Sequence, residues 1–187
     1  AGAGDGKSAR VRKGVQHGHA GADLRDGSAV GALIQEETGL LAGGDIDRLK
    51  RALIFQMTFL GAPHIYYGDE IALPGGRDPD NRRPFNWDWE QDPRAMELRG
   101  FYQELIRLRK SHQVFADGDF AFCAAPDGVL AWKRYHASGT VGVVMNLSTV
   151  AHKYRPGGFS RILFSLGDAR ESGMSVWLPP GAVVVWR

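Results

Sequence analysis

The spacing of apolar residues changes near residue 112, and this change limits the folds open to the chain. Before that point, apolar residues in two stretches recur about every 3.6 residues. After it they form short runs with a period of about 2, separated by Gly, Pro, Asp and Ser. These periods place apolar side chains on one face of a helix or of a strand. The sequence therefore predicts a helical part followed by an antiparallel sandwich.

Two helices are predicted in the first part. The stretch "DIDRLKRALIFQMTFLG" has Asp45 as a candidate N-cap and Gly61 as a stop. The stretch "DPRAMELRGFYQELIRLRKSH" has Asp92 as N-cap, a proline in its first turn and basic residues at its carboxyl end. Between them, "PHIYYGDE" contains an uninterrupted apolar run, which predicts a buried strand bounded by Pro63 and Gly68.

The strands of the second part are predicted in "GDFAFCAA", "GVLAWKRYHA", "GTVGVVMNLS", "HKYRP", "SRILFSL" and "SVWLPPGAVVVWR". Cys123 is the single cysteine of the chain and lies in the first of these runs. We expect it to pack as a small apolar residue, because no base is identifiable near it.

Residues 1–43 differ in composition from the rest, since they are rich in Gly and Ala and the first aromatic residue is Phe55. Such a segment buries little apolar surface, so we expect it to be mobile or loosely packed, with one helix in "AVGALIQEETGLLAGG". His17, His19 and Asp23 offer donor atoms for a metal, but flexible glycines beside them give poor preorganisation. No metal site is predicted there.

Composition excludes some partners. The formal net charge is only +2, which gives no reason to expect nucleic acid or an anionic membrane as a partner. No run of about 20 apolar residues is present, and the first 30 residues lack the pattern of a signal peptide. We therefore expect a cytoplasmic protein.

A loop rich in charged residues, residues 75–87, follows the predicted strand, and we call it the polar loop. It is longer than most connections, which favours a binding function. Asp78 supplies hydrogen-bond acceptors and Arg82 a fork of donors, the groups that sugar hydroxyls require. The alternative is that the acidic and basic side chains of the loop pair with one another to hold its shape.

The stretch "GDIDRLKRALIFQMTFLGAPHIYYGDEIALPGGRDPDNRRPFNWD" resembles the α-amylase family of glycoside hydrolases, nearest to its cyclomaltodextrinase, neopullulanase and maltogenic amylase group. The resemblance covers residues 44–187 and excludes residues 1–43, which we call the head. It implies an α/β part at 44–112, the carboxyl-terminal end of a (β/α)8 TIM barrel, followed by an all-β sandwich domain at 113–187. Residues 65–67 would then be the eighth barrel strand, and the polar loop would lie at the barrel rim, where such enzymes bind substrate.

By the same resemblance, Asp78 and Arg82 match glucan contacts, and Tyr67 is the tyrosine expected to face the substrate pocket. The residues expected to hold the loop are Asp69, Glu70, Asp80, Asn81 and Arg83. Neighbours on a strand point to opposite faces, so Asp69 and Glu70 are not expected to form a catalytic pair. Trp87 and Trp89 could stack on sugar or pack within the protein.

No catalytic residue is predicted in this chain. Retaining glycoside hydrolysis requires a nucleophilic carboxylate and an acid about 5 Å apart. In the family these follow the fourth and fifth strands, and a further Asp lies in an Asn-His-Asp motif that the sequence lacks. Asp23 and Asp26 have neither the strand nor the histidine of that motif. No organic cofactor is implied, and although many relatives use calcium, no ligand cluster identifies a site.

Three interpretations stay open. The chain is the carboxyl-terminal fragment of a longer gene product, with residues 1–43 arising from a shifted reading frame. Alternatively, it is one half of a split enzyme whose partner is the missing barrel portion, or a non-catalytic glucan-binding or interaction module. The expected ligand in each case is an α-glucan or maltooligosaccharide. Unpaired edges of a lone barrel strand lead us to expect aggregation, oligomerisation or stable folding of the β part alone.

Overall fold

The computed structural model describes residues 45–75 and 78–187. Three α-helices are present in these ranges, α1 (Ile46–Thr58), α2 (Pro93–Lys110) and the short α3 (Val114–Asp117). None of the described helices has the length and apolar character needed to cross a bilayer. The predictions for the head, including its helix, the metal donors His17, His19 and Asp23, and the boundary at residue 43, lie outside the described residues.

Both predicted N-caps of the long helices are confirmed. The Asp45 carboxylate accepts hydrogen bonds from the backbone N–H groups of Asp47 and Arg48, at 3.0 and 3.2 Å. The Asp92 carboxylate accepts from the N–H of Arg94 at 2.9 Å. These bonds satisfy donors that the first turn of a helix leaves without an intrahelical partner, which is why both helices begin at these points.

Eight strands follow the helices in the described part of the chain: β1 (Asp119–Phe122), β2 (Val129–His136), β3 (Gly139–Asn146), β4 (His152–Tyr154), β5 (Ile162–Leu166), β6 (Arg170–Ser172), β7 (Ser175–Leu178) and β8 (Val183–Trp186). They form a five-stranded sheet in the order β1-β2-β3-β8-β5 and a three-stranded sheet in the order β4-β7-β6. All pairings are antiparallel, as predicted. Strand β6 was not among the predicted runs, because it is short and fully exposed.

The five-stranded sheet is covered on both faces. Val143 of β3 and Val185 of β8 lie opposite each other and pack against α1 and α2. Val144 and Val184, one residue along each strand, pack instead in the cluster shared with the three-stranded sheet. Because alternate side chains of a strand point to opposite faces, the same two strands contribute to both cores. The helices and the sheets therefore form three packed layers.

The strand predicted at residues 65–67 is wrong. Residues 62–66 have no regular hydrogen-bonded structure, and Tyr67 lies in a turn. Ile65 and Tyr67 are exposed rather than buried. The apolar run satisfies the local requirements of a strand, but a strand also needs a neighbouring chain to accept and donate its backbone hydrogen bonds. No described segment pairs with these residues.

Two arginines close the carboxyl end of α1, whose last turn contains no basic residue. Arg109 of α2 donates to the carbonyls of Met57 and Gly61, both at 2.7 Å. Arg134 of β2 donates to the carbonyls of Phe59 at 2.7 Å and Gly118 at 2.8 Å. A guanidinium at this end of a helix satisfies carbonyls that lack intrahelical partners and opposes the helix dipole. The sheet thereby holds the point where the chain leaves α1.

Candidate functional site

The connection between α1 and α2 carries the predicted site residues. It contains three short 3₁₀ helices, Asp69–Ile71, Asp80–Arg82 and Trp89–Gln91. The first begins after Gly68, which has φ +91° and leaves no room for a Cβ, since that atom would lie 2.7 Å from the Leu73 side chain. Only glycine adopts this backbone conformation without strain, so Gly68 fixes the turn that follows the tyrosines.

Asp69 and Glu70 both bind backbone atoms of this turn. An Asp69 carboxylate oxygen accepts from the N–H of Tyr66 at 3.0 Å, and a Glu70 oxygen accepts from the N–H of Gly68 at 3.0 Å. Asp69 is buried, and desolvation raises the pKa of its carboxyl to about 6, with the N–H of Tyr66 opposing this shift and the nearby Glu70 adding to it. Both carboxylates are therefore committed to local structure, which is the arrangement that the predicted loop-holding role requires.

A second set of contacts joins the polar loop to Tyr67. The guanidinium of Arg83 donates two hydrogen bonds to the Asp80 carboxylate, at 2.7 and 2.8 Å. The Tyr67 hydroxyl donates to the backbone carbonyl of Arg83 at 2.9 Å. Because the Tyr67 hydroxyl already donates its proton to this carbonyl, the part of Tyr67 that a ligand can contact is its ring. Tyr67 is 42% exposed.

Asp78 and Arg82 form an ion pair of 2.9 Å between a carboxylate oxygen and Nε. Their side chains are 62% and 70% exposed. Ion pairs at such exposure contribute little to stability because water and salt screen them. The pairing agrees with the scaffold interpretation, whereas the exposure leaves an acceptor and a forked donor within reach of a ligand. Both interpretations of these two residues stay open.

Asn81 lies against a narrow space beneath the polar loop. Its side-chain carbonyl oxygen is buried and has no hydrogen-bond partner among the described residues. The space is about 20 Å³ and is bounded by Asn81, Asp69, Tyr66, Tyr67 and residues 73–75. A volume of this size holds at most a water molecule, so no sugar enters here.

A larger cleft opens on the other side of the two tyrosines. It is about 420 Å³, within the range of small-molecule sites, and its walls are Ile65, Tyr66, Tyr67, Glu70, Arg99, Tyr102, Gln103 and Ile106. Four of these residues belong to α2, and none of the four was predicted as a site residue. The polar pair Arg99 and Gln103, spaced by one helical turn, was the available signal, but that spacing is also typical of any solvated helix face.

The comparisons with known proteins come from sequence and from structure. No family model matches the chain. It is 41% identical to the cyclomaltodextrinase of Geobacillus thermopakistaniensis over 113 residues, which cover 59% of this chain and 19% of that enzyme. Identity to the cyclomaltodextrinase of Thermoanaerobacter pseudethanolicus is 34% over 150 residues, which cover 79% of this chain and 26% of that enzyme. The structure of the debranching enzyme of Nostoc punctiforme superposes with a TM-score of 0.65 at 26% identity. The superposition covers 79% of this chain and 32% of that enzyme.

Further relatives are named neopullulanase, maltogenic α-amylase and amylopullulanase, and further solved structures are α-amylases. This chain is similar in sequence and in structure to enzymes of the α-amylase family. The resemblance deduced from the polar loop is thereby confirmed. The chain spans about a fifth to a quarter of the length of the first two relatives, 19% and 26%.

Trp87, the last residue of the polar loop, and Trp89, two residues later, have different surroundings. The guanidinium of Arg99 lies over the Trp89 ring, 4.6 Å from its centroid, so Trp89 packs on α2. Trp87 is 82% exposed and contacts the Phe85 ring edge-to-face at 4.9 Å between centroids. Packing within the protein therefore accounts for Trp89 but not for Trp87.

Cys123 is half-buried, and burial raises the pKa of its thiol. A thiol with a raised pKa is a poor nucleophile, which fits the expected packing role. Across residues 45–75 and 78–187, no three His, Cys, Asp or Glu side chains are grouped so as to hold a metal ion. The predicted cytoplasmic location stays a prediction.

Replacing Asp69 by asparagine is expected to remove a pH dependence of stability. The folded chain holds the Asp69 proton more tightly than the unfolded chain, with a pKa of about 6 against 3.8. The wild-type free energy of unfolding should therefore fall as pH rises from about 4 to about 6 and stay low above it. Asparagine keeps an acceptor for the Tyr66 N–H without a charge, so Asp69→Asn should gain up to about 3 kcal/mol at pH 8.

Urea unfolding of both proteins between pH 4 and pH 8 measures this effect. Asp88→Asn is the matched control, because Asp88 is an exposed aspartate of the same connection. Identical pH profiles for wild type and Asp69→Asn would show that the buried carboxylate does not carry the predicted pKa shift.

Proposed function

We propose that this chain provides the substrate-contacting polar loop and the β domain of a retaining glycoside hydrolase that acts on α-1,4- or α-1,6-linked glucans or cyclodextrins. The observation that carries the proposal is the Asp78–Arg82 pair, which combines a carboxylate and a forked donor on an exposed loop. The Tyr67 ring is tied to the same loop through the carbonyl of Arg83. Sugar recognition requires this combination of planar acceptors, donors and an aromatic face.

Residues 44–112 are proposed to complete the catalytic barrel of this enzyme. In this proposal, they are the last helix–strand–helix portion of a (β/α)8 barrel, and residues 113–187 are the carboxyl-terminal sandwich. What supports it is that residues 62–66 connect the packed helix α1 to the turn at Gly68 without pairing to any described strand, while Ile65 is exposed. An exposed apolar segment that pairs with no described strand is suited to accept strands from the missing barrel portion. That portion is the proposed polypeptide partner.

The catalytic carboxylates are proposed to come from outside the described residues. Cleavage with retention needs a nucleophile and a protonated acid about 5 Å apart across the bond. In the polar loop, Asp80 is bound to Arg83 and Asp78 to Arg82. Asp69 and Glu70 accept hydrogen bonds from the backbone of their own turn. Each of these carboxylates has a positioning partner, which suits binding and loop structure rather than attack on an acetal.

Substituting Arg82 by alanine is expected to weaken maltoheptaose binding about tenfold, because a charged donor to sugar hydroxyls is lost. Isothermal titration calorimetry of the purified chain measures this affinity. The control Arg161→Ala removes an exposed arginine outside both candidate sites and should leave the affinity unchanged. The same preparation should release no reducing sugar from maltoheptaose, whereas turnover abolished by neutralising one internal carboxylate would overturn the non-catalytic role.

A second candidate function is a glucan-binding or interaction module centred on the sandwich. One observation favours it: Trp177 of β7 is 43% exposed, and in the antiparallel register it lies directly between Lys153 and Arg170. Exposed tryptophan flanked by donors also suits a sugar. Binding that is lost in Trp177→Ala and retained in Arg82→Ala would select this alternative.

A further inference from the structure

Trp87 is the most exposed of the five tryptophans in the chain. Trp132 and Trp186 are buried in the two cores, Trp89 packs against Arg99, and only Trp177 is also exposed, at 43% against 82% for Trp87. Tryptophan carries the largest apolar surface of any side chain. Its exposure to water is unfavourable, and a ligand that stacks on the ring would remove this surface from water.

The Trp87 ring is held in place although it is exposed. The Asn86 side-chain carbonyl accepts a hydrogen bond from the backbone N–H of Asp88 at 3.0 Å, so the tryptophan lies in the middle of an Asx-type turn. The Phe85 ring supports it edge-to-face at 4.9 Å. A ring fixed before binding loses little conformational entropy when a ligand stacks on it.

The surroundings of Trp87 suit a sugar better than a protein surface. Its neighbours Asn86 and Asp88 are exposed and polar, so the ring projects from a polar surface rather than from an apolar patch of several hundred square ångströms. A pyranose presents an apolar face of C–H groups surrounded by hydroxyls. An exposed aromatic ring with an amide and a carboxylate as its sequence neighbours matches both parts of that surface.

We propose that Trp87, supported by Phe85, is the stacking platform for one glucose unit of the bound α-glucan. Trp87 follows Arg82 by five residues, so one connection supplies both the hydroxyl contacts and the apolar contact. This inference rests on the proposed glucan binding at the polar loop and adds the residue that distinguishes a sugar ring from other hydroxylated ligands.

The test is isothermal titration calorimetry of the full chain with maltoheptaose, using Trp87→Ala, Trp87→Phe and, for the alternative site on the three-stranded sheet, Trp177→Ala. Loss of one stacked ring should weaken binding about tenfold in Trp87→Ala. Trp87→Phe keeps a smaller aromatic face and should retain most of the affinity for maltoheptaose. Trp177→Ala should bind maltoheptaose with the wild-type affinity. Maltoheptaose should also shift the tryptophan emission of the wild type but not that of Trp87→Phe, a readout that a merely structural role would not change.

The outcomes separate the two proposals. Binding that weakens in Arg82→Ala but is unchanged in Trp87→Ala would overturn the stacking platform and leave the proposed function standing. Binding lost in Trp177→Ala alone would overturn both and place the ligand on the three-stranded sheet. Failure of the wild-type chain to bind maltoheptaose at all would remove the proposed function, and the platform with it.

Discussion

Substituting Arg134 by methionine is expected to lower the free energy of unfolding by about 3 kcal/mol. Arg134 is 1% exposed and donates to the buried backbone carbonyls of Phe59 and Gly118. Methionine has a similar length but no donor, so these carbonyls lose their partners. Burial lowers the pKa of the guanidinium, and the neighbouring Arg109 lowers it further, so removing a desolvated charge offsets part of the loss. The loss of hydrogen bonds outweighs the gain from removing the desolvated charge, because several backbone carbonyls depend on this one side chain.

Urea unfolding of wild type, Arg134→Met, Arg134→Lys and Arg155→Met measures this effect. Lysine keeps the charge but lacks the planar fork, so we expect an intermediate loss. Arg155 is exposed, and its substitution should change stability by less than about 0.5 kcal/mol. Equal stabilities for Arg134→Met and Arg155→Met would show that the end of α1 does not depend on the sheet.

The Arg134 contacts bear on how the chain unfolds. The sequence-based hypothesis included stable folding of the β part alone, but α1 and α2 share a core with β3 and β8. The three-layer arrangement leads us to expect a single unfolding transition for helices and sheets. The other two parts of that hypothesis, aggregation and oligomerisation through the segment at 62–66, stay predictions.

Substituting Gly142 by alanine is expected to cost about 3 kcal/mol. Gly142 of β3 lies opposite Trp186 of β8, and a Cβ at this position would approach the Trp186 ring to 2.1 Å. Trp186 is buried in the core between the two sheets, so the ring cannot move aside without disturbing its neighbours. Glycine in a strand interior usually marks such a close approach.

Gly100→Ala is the matched control for this substitution. Gly100 lies in α2, where an added Cβ meets nothing within 4 Å, so alanine should raise stability by up to about 1 kcal/mol through its helix propensity. Trp186→Phe should reduce the cost of Gly142→Ala in a double-mutant cycle, because the smaller ring leaves space for the methyl group. Additive effects of the two substitutions would contradict the proposed contact.

The site was only partly accessible to prediction. Asp78, Arg82 and Tyr67 were identified because their residue types and the resemblance mark them, and their contact roles stay predictions. The sequence could not predict that Trp87 is exposed while Trp89 packs on α2, because both are tryptophans two residues apart and only their neighbours in the fold differ. The cleft walls from α2 were missed, because which helix face borders a cleft depends on how α2 lies against residues 65–70.

The sequence by itself determined the features whose signals are local: two capped helices, a run of short antiparallel strands, and the family resemblance that the polar loop carries. Side-chain period and capping chemistry act over a few residues, so they can be deduced without the fold. Tertiary structure alone decided that β8 lies between β3 and β5, that residues 62–66 form no strand, and that Arg134 is buried at the end of α1. These features depend on contacts between residues far apart in the chain, and no local pattern specifies such contacts.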